Sequence, residues 1–205
     1  MTDLVCLVAD KAIEAMLDAV LHRHESLGVR SFSFDIFVHP GRDPGCFRHS
    51  PAFLVGRRGA YAHALVVFDR AWEGAPTQDA PALEHDLRHR LAALGEGWAD
   101  VVVIEPEVDV WIWSRSPNVD AVLGWKHRKP ALRSWLESAG LLAAGAAKPR
   151  DPKEAVERAL AEVDLRRSSS LYRKVAQQVS LPACDDPSFG RLRSILVGWF
   201  PPPAA

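Results

Sequence analysis

The 205-residue sequence predicts an α/β fold: a mainly parallel four-stranded sheet flanked by helices, followed by an all-helical C-terminal extension. Three observations predict it. Short continuous apolar runs recur through the first half, as in strands buried on both faces. Segments of helical periodicity lie between those runs, which calls for crossover connections and parallel pairing. Beyond residue 114 the strand-like runs stop, and capped helical segments follow one another. The chain therefore divides into an α/β core over 1–114 and a helical extension over 115–205 that packs on it.

The elements follow in order. Leu4 to Ala9 (LVCLVA) reads as a doubly buried strand, and the helix after it places Ile13, Met16, Leu17, Val20 and Leu21 on one side. Ser31 to Val38 alternates, with Phe32, Phe34, Ile36 and Val38 facing one way, and reads as a second strand. His39-Pro-Gly-Arg-Asp-Pro-Gly45 is dense in turn formers and reads as a loop. Ala62 to Phe68 (AHALVVF) is a third strand, ended by Asp69. A loop over 70–80 leads to a helix bearing Leu83, Leu87, Leu91 and Leu94, and Asp100 to Glu105 (DVVVIE) is the fourth strand. In the extension, Ser116-Pro117 reads as an N-cap followed by proline at the first helical position, and Pro130 to Leu142 continues as helix. Asp151-Pro152 with Glu154 is a capping-box-like start. Ser168 to Val179 and Pro187 to Trp199 form two more helices, and the closing Pro-Pro-Pro-Ala-Ala reads as a fraying tail.

The composition, 48% hydrophobic and 25% charged with a formal net charge of −1, is that of a globular chain and makes no global case for nucleic acid or membrane. The charge is uneven, however. Lys126 to Lys174 holds twelve Lys or Arg against six Asp or Glu, a surplus of +6 that leaves the remainder at −7. Such an imbalance suits either an enzyme holding a metal and an anionic polymer or uneven helix surfaces. No basic leader and no run of about 18 apolar residues is seen, so the expectation is a cytoplasmic protein without a membrane span. Cys6, Cys46 and Cys184, odd in number and far apart, suit reduced thiols.

Ligands in open α/β sheets sit outside the carboxyl ends of the strands. Three acidic features fall there. Asp10 follows the first strand, with Glu14 one helical turn on; Asp69 ends the third, with Glu73 four residues later; Glu105, Glu107 and Asp109 follow the fourth. Converging carboxylates repel unless a cation neutralises them, and hard divalent ions take oxygen ligands of this kind. Taken singly, each is equally a solvated carboxylate favoured by a helix dipole. His39 and Asp43 border the same edge, where a plain turn is the alternative. His85 and His89, four apart on a helix, have a zinc-compatible spacing, but the segment lacks the metalloprotease glutamate. Lys148, Lys153, Arg166, Arg167, Arg173 and Lys174 are candidate phosphate contacts. Trp111, Trp113, Trp125 and Trp135 are better core residues than base-stacking platforms, and Tyr172 is the aromatic kept as a functional candidate.

Three of these segments, Val8-Ala-Asp10-Lys-Ala-Ile-Glu14, Val67-Phe-Asp69 and Glu107-Val-Asp109-Val-Trp111, resemble the TOPRIM-related proteins of prokaryotic defence loci. In the tail, Lys148-Pro, Asp151-Pro-Lys153-Glu, Arg167-Ser-Ser-Ser-Leu-Tyr172 and Asp186-Pro-Ser-Phe189 extend the likeness over nearly the whole chain. The chain is also similar to a small component of the methylation-associated antiviral defence system. The resemblance implies a TOPRIM-like sheet and a nuclease-type site holding Mg²⁺ (or Mn²⁺) against DNA or RNA phosphates. It further implies other defence-system proteins as partners. On it, Asp10, Glu14, Asp69 and Asp109 are the expected metal ligands, with Glu73 and Glu107 completing the catalytic set. Lys148, Lys153, Arg167 and Lys174 are the expected nucleic-acid contacts. Two positions depart from the family pattern: Asp10 stands for a glutamate, with Lys11 after it in place of a small residue, and Ala71 stands for the second Asp of an Asp-x-Asp pair. The alternative is a catalytically degenerate module that binds protein or DNA.

Overall fold

Four strands, β1 (Thr2–Val8), β2 (Phe34–Val38), β3 (Tyr61–Asp69) and β4 (Ala99–Ile104), form one all-parallel sheet in the order β2-β1-β3-β4. The computed structural model describes residues 1–203; Ala204 and Ala205 of the expected tail lie outside the described residues. The α/β class and the four parallel strands are as the apolar runs predict. The central strands β1 and β3 and the edge strand β4 are covered on both faces, which is why their sequences are continuously apolar rather than alternating. The register pairs Val8 with both Val38 and Val67, and Asp69 with Ile104, so all four carboxyl ends meet at one edge.

Between the strands run α1 (Lys11–Leu21), α2 (His24–Leu27), α3 (Arg42–Val55) and α4 (Ala80–Ala92). Asp10 caps α1, its Oδ1 accepting from the backbone N–H groups of Ala12 (2.8 Å) and Ile13 (2.9 Å). The apolar stripe on α1 is buried as its period requires.

The loop expected over 39–45 is corrected by the structure: only its first part is loop, and α3 begins at Arg42. Turn formers did not prevent a helix because Pro44 falls in the first turn, where the backbone N–H has no intrahelical acceptor to lose. Pro51 lies inside the same helix, which nonetheless runs fourteen residues and packs on β3 and β1.

The extension comprises α5 (Val119–Val122), α6 (Leu132–Ser138), α7 (Pro152–Ala161), α8 (Ser169–Gln178) and α9 (Pro187–Trp199). The first two are shorter than expected. Asn118, not Ser116, precedes α5, and Ser116 Oγ instead accepts from the backbone N–H groups of Asn118 and Ser180. The caps of α7, α8 and α9 are Asp151, Ser168 and Asp186, each accepting from a backbone N–H of the first turn. α8 packs along α1 and α9 against β4, and one contiguous apolar core runs from Leu4 to Phe200. Arg23 ties the two parts together by donating to the carbonyls of Ala176 (2.6 Å) and Val179 (2.7 Å) at the end of α8. Among the described residues, no helix is long and apolar enough to cross a membrane.

Candidate functional site

The carboxyl edge of the sheet gathers five carboxylates. Asp69 is the innermost, at the end of a central strand and only 8% exposed. Burial holds its carboxyl well above the usual carboxylate range, and Asp43, Asp10, Glu107 and Asp109 push it further in the same direction. Asp43 is raised too, first by burial and then by Asp10 and Glu107, against the lowering effect of backbone hydrogen bonds. Asp43 reaches this position because α3 begins early: from its first turn, Asp43 Oδ1 accepts the backbone N–H of Asp69 at 2.8 Å. The turn-rich segment thus supplies a residue of the acidic edge, and from a helix rather than from the expected loop. Asp69 Oδ1 is buried with no hydrogen-bond partner. A buried polar atom without a partner is uncommon in a folded protein and calls for an explanation.

The remaining members differ in what they touch. Asp109 is fully buried and both its oxygens are engaged: Arg167 Nη2 lies 2.7 Å from Oδ2, and the Tyr172 hydroxyl donates to Oδ1 at 2.7 Å. Arg167 Nε also donates to the Tyr172 hydroxyl, closing the triad. Burial works against the Arg167 charge, but Asp109 and Tyr172 outweigh it and strengthen its hold on the proton. Glu107 pairs with Lys153 at 2.9 Å, and this contact raises the lysine. Glu14 turns to Lys11, 2.7 Å away, and Glu73 is exposed on the loop after β3.

The structure therefore brings together Asp10, Asp69, Glu107 and Asp109 of the expected residues, adds Asp43, and leaves Glu14 and Glu73 outside. The expected four-ligand cage of Asp10, Glu14, Asp69 and Asp109 is not formed. Among the described residues no three His, Cys, Asp or Glu side chains are arranged to hold an ion. Asp109 and Glu14 instead have basic partners from within the chain.

The expected basic surface is corrected in the same way. Lys148 pairs with Asp186 at 2.8 Å, Lys153 with Glu107, Arg167 with Asp109, and Arg173 with Asp18 on α1. Three of these four bonds cross from the basic extension to the acidic core, which matches half of the +6 surplus with carboxylates of the same chain. Lys174 is exposed and makes no ion pair among the described residues. The tryptophans serve the core: Trp111, Trp113 and Trp125 are buried, and each indole N–H finds an acceptor, in Ser188 Oγ, Pro152 O and Ala159 O.

Comparison with protein-family models, with curated proteins and with solved structures found no match to this chain.

Proposed function

We propose that this chain is a TOPRIM-like component of a prokaryotic antiviral defence system whose acidic crevice binds Mg²⁺ or Mn²⁺ and acts on nucleic-acid phosphodiesters. The observation that carries the reading is Asp69, a buried carboxylate with an unpartnered oxygen, crowded by four others. A divalent cation relieves both the missing partner and the repulsion.

Mg²⁺ keeps several waters and takes one or two carboxylates plus substrate phosphates, so a site without a three-carboxylate cage still fits its chemistry. Asp69 and Asp10 would hold it. Bound there, the ion supplies charge neutralisation at a phosphate and a water of lowered pKa. The chain does the rest: Asp43 fixes the end of β3 through the Asp69 N–H, Arg167 holds the buried Asp109, and Lys153 holds Glu107.

A second reading, a non-catalytic module that binds protein or DNA, is favoured by two specific features. Ala71 has no oxygen to offer where the family pattern has its second Asp, and Asp109 is already saturated by Arg167 and Tyr172. Calorimetric titration of Mg²⁺ and Mn²⁺ into wild type and Asp69→Asn, with plasmid and single-strand cleavage by both, separates the two. Ion binding and cleavage in wild type, both lost in the variant, are the expected result. No binding and no cleavage by wild type would leave the non-catalytic module.

A further inference from the structure

His39 follows β2, and its ring is held by its own loop. Its Nδ1 accepts the backbone N–H of Gly41 at 2.9 Å, so Nδ1 carries no proton and the neutral ring carries its hydrogen on Nε2. The opposite constraint comes from Gly45. A Cβ built there would lie 2.1 Å from His39 Nδ1 and 2.5 Å from Cε1, so the ring rests directly on the α3 backbone. The His49 ring stacks alongside, 6.2 Å between centroids and 20° between planes. Burial and His49 both lower the His39 pKa, in keeping with the neutral ring.

The fixed ring lines an open groove of about 320 Å³ at the carboxyl ends of β1 and β2, together with Asp10, Lys11 and Arg42. Arg42 is exposed, makes no ion pair among the described residues, and has a φ of 51°, a left-handed conformation uncommon for a residue with a side chain. A neutral N–H donor and an uncommitted guanidinium thus share one groove beside the acidic crevice. That pairing suits the oxygens of a phosphate, and Arg is the side chain best shaped to bind one.

We propose that His39 is a phosphate-binding residue, its Nε2–H donating to an oxygen of a phosphate group seated in this groove with Arg42. The proposal rests on the acidic-site reading for the strand's direction of approach, and it assigns the groove as the subsite that holds the phosphate next to Asp10. Two substitutions separate binding from mere support of the loop. Asparagine places an amide oxygen near the position of Nδ1 and keeps the acceptor for Gly41, but it loses the outer donor. Glutamine reaches the position of Nε2 and restores a donor there.

The test is fluorescence anisotropy of a labelled oligothymidylate of about twelve nucleotides. It is run with Ca²⁺ in place of Mg²⁺ and again without divalent ion, on wild type, His39→Asn and His39→Gln. His39→Asn is expected to melt with wild type and to take up Mn²⁺ as wild type does, while its oligonucleotide affinity falls on the order of tenfold. His39→Gln is expected to recover most of that loss. Inorganic phosphate competing as well as the oligonucleotide would keep the subsite and mark its source as a free or terminal phosphate. Unaltered affinity in His39→Asn, or equal losses in both variants, would overturn the proposal. Failure of the acidic-site reading shows separately, as an absence of Mn²⁺ uptake by wild type, and leaves the comparison of the two variants readable.

Discussion

Arg167 Nη2 stands 2.7 Å from Asp109 Oδ2, and the carboxylate it meets has no solvent exposure at all. The pair joins the segment before α8 to the turn after β4, and the Tyr172 hydroxyl completes it. Removing one member of a buried pair strands a charge, which typically costs about 3–5 kcal/mol, whereas replacing both by apolar groups is often neutral. Arg167→Ala is therefore expected to lower the melting temperature steeply, by about 2–4 °C for each kcal/mol. Tyr172→Phe leaves one carboxylate oxygen without its donor and should cost about 1–3 kcal/mol. Paired substitution of Arg167 and Asp109 by Met and Leu should restore most of the loss. A single Arg167→Ala variant as stable as wild type in urea unfolding would show that the triad holds nothing together.

Asp69 makes a prediction of opposite sign. Its carboxyl titrates above the usual range in the folded chain, so the folded state keeps a proton that the unfolded state releases. Stability from this group is present below the ordinary carboxylate pKa and is lost as pH rises through the raised value. Asp69→Asn, permanently neutral, escapes that loss. In metal-free buffer it should melt above wild type near pH 7, with the difference closing near about pH 4. Thermal melts across that interval check it, and a variant less stable at both ends would contradict the assignment.

The same protons bear on ion binding. Asp43 and Asp69 are both raised by burial and by neighbouring carboxylates, and a cation competes with those protons. Mn²⁺ affinity should therefore rise as pH increases from about 5 to 8, with protons released on binding. Calorimetry in two buffers of different ionisation heat measures the release. Binding that is indifferent to both pH and buffer would place the ion elsewhere.

Gly45 tests the loop that carries His39 and Asp43. A methyl group at this position has no room against the imidazole, whose Nδ1 would be 2.1 Å away. Gly45→Ala should displace the ring, break the bond from Gly41, and cost about 1–3 kcal/mol as overpacking does. Melting temperature and the His39 ring resonances by NMR report the two effects together.

Much of the fold was legible along the chain, and less of the site. The runs LVCLVA, AHALVVF and DVVVIE report strands buried on both faces, because a residue with no exposed side has no reason to be polar. The cap Asp151 was equally readable, since it acts within three residues of itself, whereas the cap expected at Ser116 is not formed. The segment after β2 was misread because proline and glycine mark turns by frequency, while the first turn of a helix tolerates both. Asp43 was placed at the right edge, but its bond to the end of β3 depends on the start of α3.

Carboxylates at the strand ends, placed there by parallel pairing, could be inferred from sequence order alone. Which of them stay available could not. Asp109 and Arg167 are 58 residues apart, and Glu107 and Lys153 lie on equally separate elements, so their pairing exists only once α7 packs on the turn after β4 and α8 packs along α1. Local order is written in periods of two and 3.6 and in caps a few residues long, and a sequence states these directly. The partners of a buried charge are chosen by the packing of distant elements, and here that packing neutralised Glu107 and Asp109 while leaving Asp69 with an oxygen unmatched.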